Sequence, residues 1–327
     1  MTDLWNTLLV HPLINLLVFT YSVFGDFGLA IVIVTVSIRL LLYPLFVTQI
    51  RSQRALQELA PAMNELKQKY GKDRQKLTEE QMKLYRERGY NPAAGCLPLL
   101  LQMPILFGFY AAMLQMCGLG TGLAGADCPG ITREQFETIR WPFLPGNLIP
   151  ERIDLAAHWL PWISGGLGRP DPFFVLPILA GVTQLVSSLM AMPAQQKAPT
   201  DPQARMMQTM TYYFPIITVV IAWGLPAGLS LYWVATTVFQ IAQQYVVTGW
   251  GQLARWLPFL RGVPTPADRT LKARQQEAIE EAERDMRRQG VRPERAHPGD
   301  DRAAVEGGDA ARQHRPSGRG RRRGRRR

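Results

Sequence analysis

Five apolar runs, at 27–47, 96–114, 172–192, 210–223 and 229–247, stand out from polar surroundings. A run of about 20 apolar residues is the length of a bilayer-crossing helix, and hydrocarbon leaves backbone N–H and C=O groups no partner but each other. Each run is therefore predicted as a membrane helix. The fourth would rise only about 21–24 Å against a hydrocarbon core of roughly 30 Å, which implies local thinning of the bilayer. Only Gly224-Leu225-Pro226-Ala227-Gly228 separates it from the fifth, so the two form a tight hairpin. Residues 1–26 are also apolar, with Leu9, Leu13, Leu16 and Leu17 at helical spacing, but Asn6, His11, Pro12 and Asn15 interrupt them. That pattern fits a helix lying in the membrane interface, with a sixth crossing as the alternative.

Between the first two runs, residues 51–90 read as two charged amphipathic helices, broken near Gly71 and too polar to lie in hydrocarbon. An outer connection covers 115–171. The tail, 251–327, holds helix-forming charged sequence at 271–289 and has no apolar residues for a core after about 290, so it is expected to be disordered there.

The mean hydropathy near zero averages these two materials and hides both. Charge then orients the chain. Segment 51–95 holds 10 Lys+Arg and the tail holds 20 against 11 Asp+Glu, whereas the first 38 residues hold no Lys or Arg. The positive-inside rule places the hairpin and tail in the cytoplasm and the N-terminus outside, as five crossings require. The N-terminus carries no secretory cleavage pattern, so no processing is expected. Three cysteines make no disulfide scaffold: Cys96 opens an apolar run, and Cys117 and Cys128 share the outer loop, where they can pair if that side is oxidising.

Arg39 is the one charge within 27–47, and no Asp or Glu occurs in any other run. A guanidinium at that depth costs roughly 2.5–3.5 kcal/mol on insertion scales. It cannot escape by losing its proton. Two readings follow: a structural charge solvated by backbone carbonyls, or a wet cavity whose acidic visitor comes from another molecule. Uncharged polarity on helix faces favours the cavity. Thr35, Arg39 and Tyr43 share one side of the first run; Gln184, Ser187 and Ser188 lie in the third; Ser230, Trp233, Thr237, Gln240 and Gln244 recur by threes and fours in the fifth. Such residues also serve simply as glue between helices. No HExxH, Walker A loop or intramembrane Asp pair is present, and the four histidines lack metal-ligand spacing. Neither an enzyme, nor a cofactor, nor a metal site is read here. A solute transporter or channel, and a ribosome-tethering membrane protein, are the competing readings.

Three stretches carry a resemblance. They are Ser37-Ile-Arg39 with Tyr43-Pro44-Leu45; Asn91-Pro-Ala-Ala-Gly-Cys-Leu-Pro-Leu-Leu-Leu-Gln-Met-Pro-Ile-Leu-Phe-Gly-Phe-Tyr110; and Gly228-Leu-Ser-Leu-Tyr-Trp233 continuing to Gln244. In these the chain resembles the YidC-type membrane protein insertases of the YidC/Oxa/Alb superfamily, in the short form without a large periplasmic domain. The resemblance implies an all-α polytopic protein of the bacterial cytoplasmic membrane. Its five helices (27–250) would enclose a hydrophilic groove open to cytoplasm and lipid. It implies insertion and folding of nascent membrane proteins, alone or with the Sec translocon, with the hairpin 51–90 as a mobile receiving element. Arg39 corresponds to the groove arginine, and Thr35 and Gln184 to polar groove positions. The candidate groove set is Arg39, Thr35, Tyr43, Gln102, Gln184, Ser188, Trp233, Thr237 and Gln240. For the tail, Arg321, Arg322, Arg323, Arg325, Arg326 and Arg327 form a cationic cluster suited to ribosomal RNA phosphates or, alternatively, to anionic lipids.

Overall fold

A computed structural model describes residues 2–87, 97–117, 130–163, 166–192 and 202–269. Helix α1 (Asp3–Phe24) is long and apolar enough to cross a bilayer by itself, the only single helix among the described residues that is. It contains a π-helical turn at Asn6–Val10, just before Pro12. Val10, Leu13, Ile14, Leu17 and Val18 are buried, while Leu4, Leu8, Phe19 and Val23 are exposed. Asn15, which by sequence interrupts the apolar pattern, is fully buried: its amide donates to the Ile139 carbonyl at 2.9 Å and accepts from Trp141 N–H at 2.9 Å. The polar residue thus stitches α1 to the outer connection. Gly25, at φ 72°, ends the helix in the left-handed region that suits glycine.

Helix α2 (Phe27–Leu41) starts at Asp26, whose carboxylate caps Leu29 N–H at 2.8 Å. The same carboxylate accepts from His158 N–H at 2.7 Å and from Trp159 Nε1 at 3.1 Å, so the outer connection is clasped to the helix start. Burial pushes this carboxyl up, but these bonds outweigh burial and hold it below its usual value near 3.8.

The first span was expected to continue to Val47. It breaks instead at Leu42, and helix α3 (Tyr43–Glu58) leaves at 70°. Pro44 is the cause: it has no N–H to bond the turn behind it, so the helix restarts with Leu45 and Phe46 donating to the Leu42 carbonyl, each at 3.1 Å. Helices α4 (Ala60–Tyr70) and α5 (Arg74–Glu87) form the expected charged hairpin. Then come α6 (Leu97–Met116), a short α7 (Arg133–Glu137), and the antiparallel pair β1 (Ile131–Thr132) and β2 (Arg152–Ile153) within the outer connection. Helices α8 (Val175–Ala191), α9 (Pro202–Trp223) and α10 (Ala227–Val247) complete the set, followed by the one-turn α11 (Leu253–Trp256). Helix α9 begins well before the expected residue 210, although its apolar part, Thr209–Trp223, remains short.

Two apolar clusters bracket the fold. One joins α1, α2, α6 and the start of α10 to the outer connection, through Phe27, Ile31, Phe109, Met113, Phe136 and Leu155. The other sits where α8 and α10 end, around Leu189, Met190, Met192 and Leu253. Gln252 N–H bonds the carbonyls of Leu189 and Met192 there, and Gly249 lies against Thr265. For this reason the compact unit extends to Thr270, past the expected boundary at 250. Cys117 is disulfide-bonded. Cys96, Cys128, the Asn91–Gly95 part of the quoted motif, the expected disorder beyond 290 and the arginines at 321–327 lie outside the described residues.

Candidate functional site

Between the two apolar clusters lies Arg39, only 5% exposed. Its Nε donates to Thr236 Oγ1 at 2.9 Å and its Nη2 to Gln102 Oε1 at 3.3 Å. Gln102 passes the interaction on, donating from Nε2 to the Tyr232 hydroxyl at 2.8 Å, and the Tyr232 ring stacks on Phe109 at 4.6 Å. The guanidinium carbon stands 4.2 Å from the centre of the Phe46 ring, a cation–π contact. Helices α2, α3, α6 and α10 each supply one side of this cage. Thr35 lines it one turn before Arg39, with its hydroxyl bonded back to Ile31.

Arg39, for which the other apolar runs offer no acidic partner, is held by several neutral ones. Among the described residues no carboxylate pairs with it, so its charge is solvated without being cancelled. Its cavity has a volume of only about 10 Å³, about the room a single water needs. The charge thus sits in a small cage of polar and aromatic side chains.

Of the candidate set, Arg39, Thr35 and Gln102 come together here. Tyr43 is exposed beyond the break at Leu42. Gln184, Ser188, Trp233 and Gln240 are half-buried away from the cage, and Thr237 is buried with its hydroxyl on the Trp233 carbonyl. The residues that do contact Arg39 from α10 were missed by one position. The stripe Trp233–Thr237 was read as the polar face, whereas Tyr232 and Thr236, about 100° around the helix, face the charge. Phe46 gave no signal, since an aromatic residue in an apolar run reads as core or lipid-facing.

Further polarity lies farther along α3, α8 and α10. Gln49, Ser187, Gln243 and Gln244 are all buried, with Ser187 Oγ donating to Gln244 at 3.4 Å. Gln49 Nε2 and both amide atoms of Gln243 have no hydrogen-bond partner among the described residues. On the hairpin, α4 and α5 border a cleft of about 330 Å³ lined by Leu66 and Leu84 and by charges of both signs, Glu65, Lys69, Glu80 and Lys83. Among the described residues no group of three or more His, Cys, Asp or Glu is placed to hold a metal ion.

Residues 19–252 match the 60Kd inner membrane protein family. The chain is 36% identical over 253 residues to membrane protein insertase YidC 2 of Bacillus anthracis, covering 76% of this chain and 82% of that protein. It is 37% identical over 252 residues to membrane protein insertase MisCA of Bacillus subtilis, covering 75% and 79%. Among solved structures, an active YidC insertase with its first transmembrane domain resolved aligns at a TM-score of 0.42 and 24% identity, over 72% of this chain and 45% of that one. A match of this extent to the family and its insertases establishes that the chain belongs to the 60Kd inner membrane protein family, that of the YidC-type membrane protein insertases.

Proposed function

We propose that this protein inserts newly made membrane proteins into the bacterial cytoplasmic membrane and helps them fold, alone or beside the Sec translocon. The observation that carries the reading is Arg39, a full charge caged by neutral groups at the level where α2, α6 and α10 meet. In this reading five spans cross the bilayer, formed by α2, α6, α8, α9 and α10, with α1 in the outer interface. The N-terminus faces outside; the hairpin and tail face the cytoplasm.

Arg39 and the polar cage lower the cost of bringing a short acidic tail of a substrate into hydrocarbon. The short apolar part of α9 favours a thinned bilayer beside it, which shortens the remaining crossing. The substrate's apolar helix then passes into lipid, its burial contributing about 25 cal/mol per Å². A membrane potential adds roughly 2.3 kcal/mol per charge per 100 mV on an acidic tail moving outward. The exposed apolar side chains of α8 and α9, among them Ile178, Val182, Ile217 and Val220, suit a lipid-facing exit. Neither chemical step nor cofactor enters this scheme.

The test is insertion of a Sec-independent, single-span, acidic-tailed substrate into vesicles holding the full chain. Wild type and Arg39→Lys are expected to insert it and Arg39→Ala to fail. Equal activity in all three would overturn the role given to Arg39.

A further inference from the structure

We propose that Phe46 is a gate over Arg39 that makes the site selective for acidic substrate segments. The proposal rests on the reading of Arg39 as the charge a substrate meets. The Phe46 ring, its centre 4.2 Å from the guanidinium carbon, walls the cavity, whose volume of about 10 Å³ has no room for a carboxylate. Yet Arg39 has unused capacity: among the described residues, its Nη1 makes no hydrogen bond. A carboxylate meeting the Nη1–Nη2 edge would gain the paired geometry that guanidinium offers. The cavity has room for it only once the wall that Phe46 forms has moved.

Phe46 can move because of where it sits. It is buried, but it belongs to α3, beyond the 70° break at Leu42, and Pro44 interrupts the hydrogen bonding that would weld α3 to α2. Swinging α3 about that joint withdraws the ring while leaving Arg39 fixed to Thr236 and Gln102 by α2, α6 and α10. A latch holds the other end: Arg54 Nη1 donates to the Thr248 carbonyl at the end of α10, at 2.8 Å. The closed position is also imperfect, because Gln49 on α3 and Gln243 on α10 are buried with amide atoms that have no partner among the described residues. Admitting water or a substrate backbone beside them would repair that deficit. Since α3 runs into the α4–α5 hairpin, a substrate held by the hairpin is joined by continuous chain to the gate.

Selectivity follows from what replaces the ring. A carboxylate exchanges a cation–π contact for a charge-assisted hydrogen bond, whereas a neutral amide offers much less. Phe46 therefore acts against neutral tails more than against acidic ones.

The experiment uses the full chain in vesicles and two single-span substrates that differ only by Asp→Asn changes in the translocated tail. Phe46→Ala and Phe46→Leu are expected to insert the neutral substrate about two- to tenfold faster than wild type, the rate equivalent of a cation–π contact, and so to narrow the preference. Phe46→Tyr keeps the ring and should keep the preference. Independently, 4-fluorophenylalanine at position 46 of the otherwise unaltered chain should give a ¹⁹F resonance that shifts on adding the acidic tail peptide and not the neutral one. An unchanged preference in Phe46→Leu, or a resonance indifferent to the acidic peptide, overturns the gate. Arg39→Ala separates the two levels. If it inserts like wild type, the underlying reading of Arg39 fails; if it fails to insert while Phe46→Leu discriminates as wild type does, the gate alone fails.

Discussion

Arg39 Nε and Thr236 Oγ1, 197 residues apart in the chain, meet at 2.9 Å and tie the last turn of α2 to the middle of α10. Both residues are buried, so neither has water to fall back on. A bond of this kind matters less for the strength of the contact than for what its loss leaves behind, a charged donor in a low-dielectric interior.

Thr236→Val keeps the shape of the side chain and removes the acceptor. It is expected to destabilise the protein by about 1–3 kcal/mol, whereas Thr236→Ser should be close to neutral. Thermal unfolding of the purified protein in one detergent compares the three; equal melting temperatures for Val and Ser would show that Arg39 finds another acceptor.

Asp26 makes a prediction about acid. Its folded pKa lies below its usual value near 3.8, because bonds from Leu29, His158 and Trp159 outweigh the effect of burial. A depressed carboxyl contributes stability that is present above the unfolded value and is lost as pH falls through the folded one. Asp26→Asn should therefore melt lower than wild type at neutral pH, by about 1 kcal/mol for a weakened cap, with the gap closing below about pH 4. Because the His158 ring stands 3.2 Å from the same carboxylate, the pair of proteins is best compared in a His158→Gln background. A gap that stays constant through the acid range would assign the effect to packing.

Much of this arrangement was legible in the amino-acid order, and the exceptions have physical causes. The apolar runs marked the helices, and Arg39 stood out because nothing else charged shares its run. The break at Leu42 was in view as Tyr43-Pro44, yet hydropathy alone carried the span through it to Val47. Asp26 went unread as a helix cap, and its second role, holding the outer connection through residues 158 and 159, arises from tertiary contact and leaves no local trace. On α10 the polar residues occupy two neighbouring faces, and periodicity cannot say which one turns toward α2. Only the packing of α6, through Gln102 on Tyr232, decides that.

Gly181 offers a test of how closely α8 and α9 approach. A Cβ there would clash with Val219 Cγ2 and stand 3.2 Å from the Pro215 carbonyl. Valine cannot swing its methyl aside freely, so Gly181→Ala should overpack the pair and cost about 1–3 kcal/mol. Adding Val219→Ala removes the clashing methyl and should recover most of that loss. If the double variant is no more stable than Gly181→Ala, the helices are held apart by the Pro215 backbone.

The tail is tested by where it is cut. Residues up to 269 belong to the folded unit: Trp250 Nε1 bonds the Val263 carbonyl at 3.3 Å, and the Thr265 hydroxyl bonds Asp268 at 2.7 Å. A truncation after Thr270 thus removes 271–327, with its terminal arginines, and leaves those contacts in place. Removing so many cations should abolish salt-sensitive binding to ribosomes, since each released phosphate contact steepens the dependence on ionic strength. Co-sedimentation of full-length and truncated protein with ribosomes, at low and moderate salt, reads this directly. Binding that survives truncation would remove the RNA role. Retained binding to ribosomes stripped of accessible RNA, together with loss of binding to vesicles rich in anionic lipid, would assign the arginines to the membrane surface.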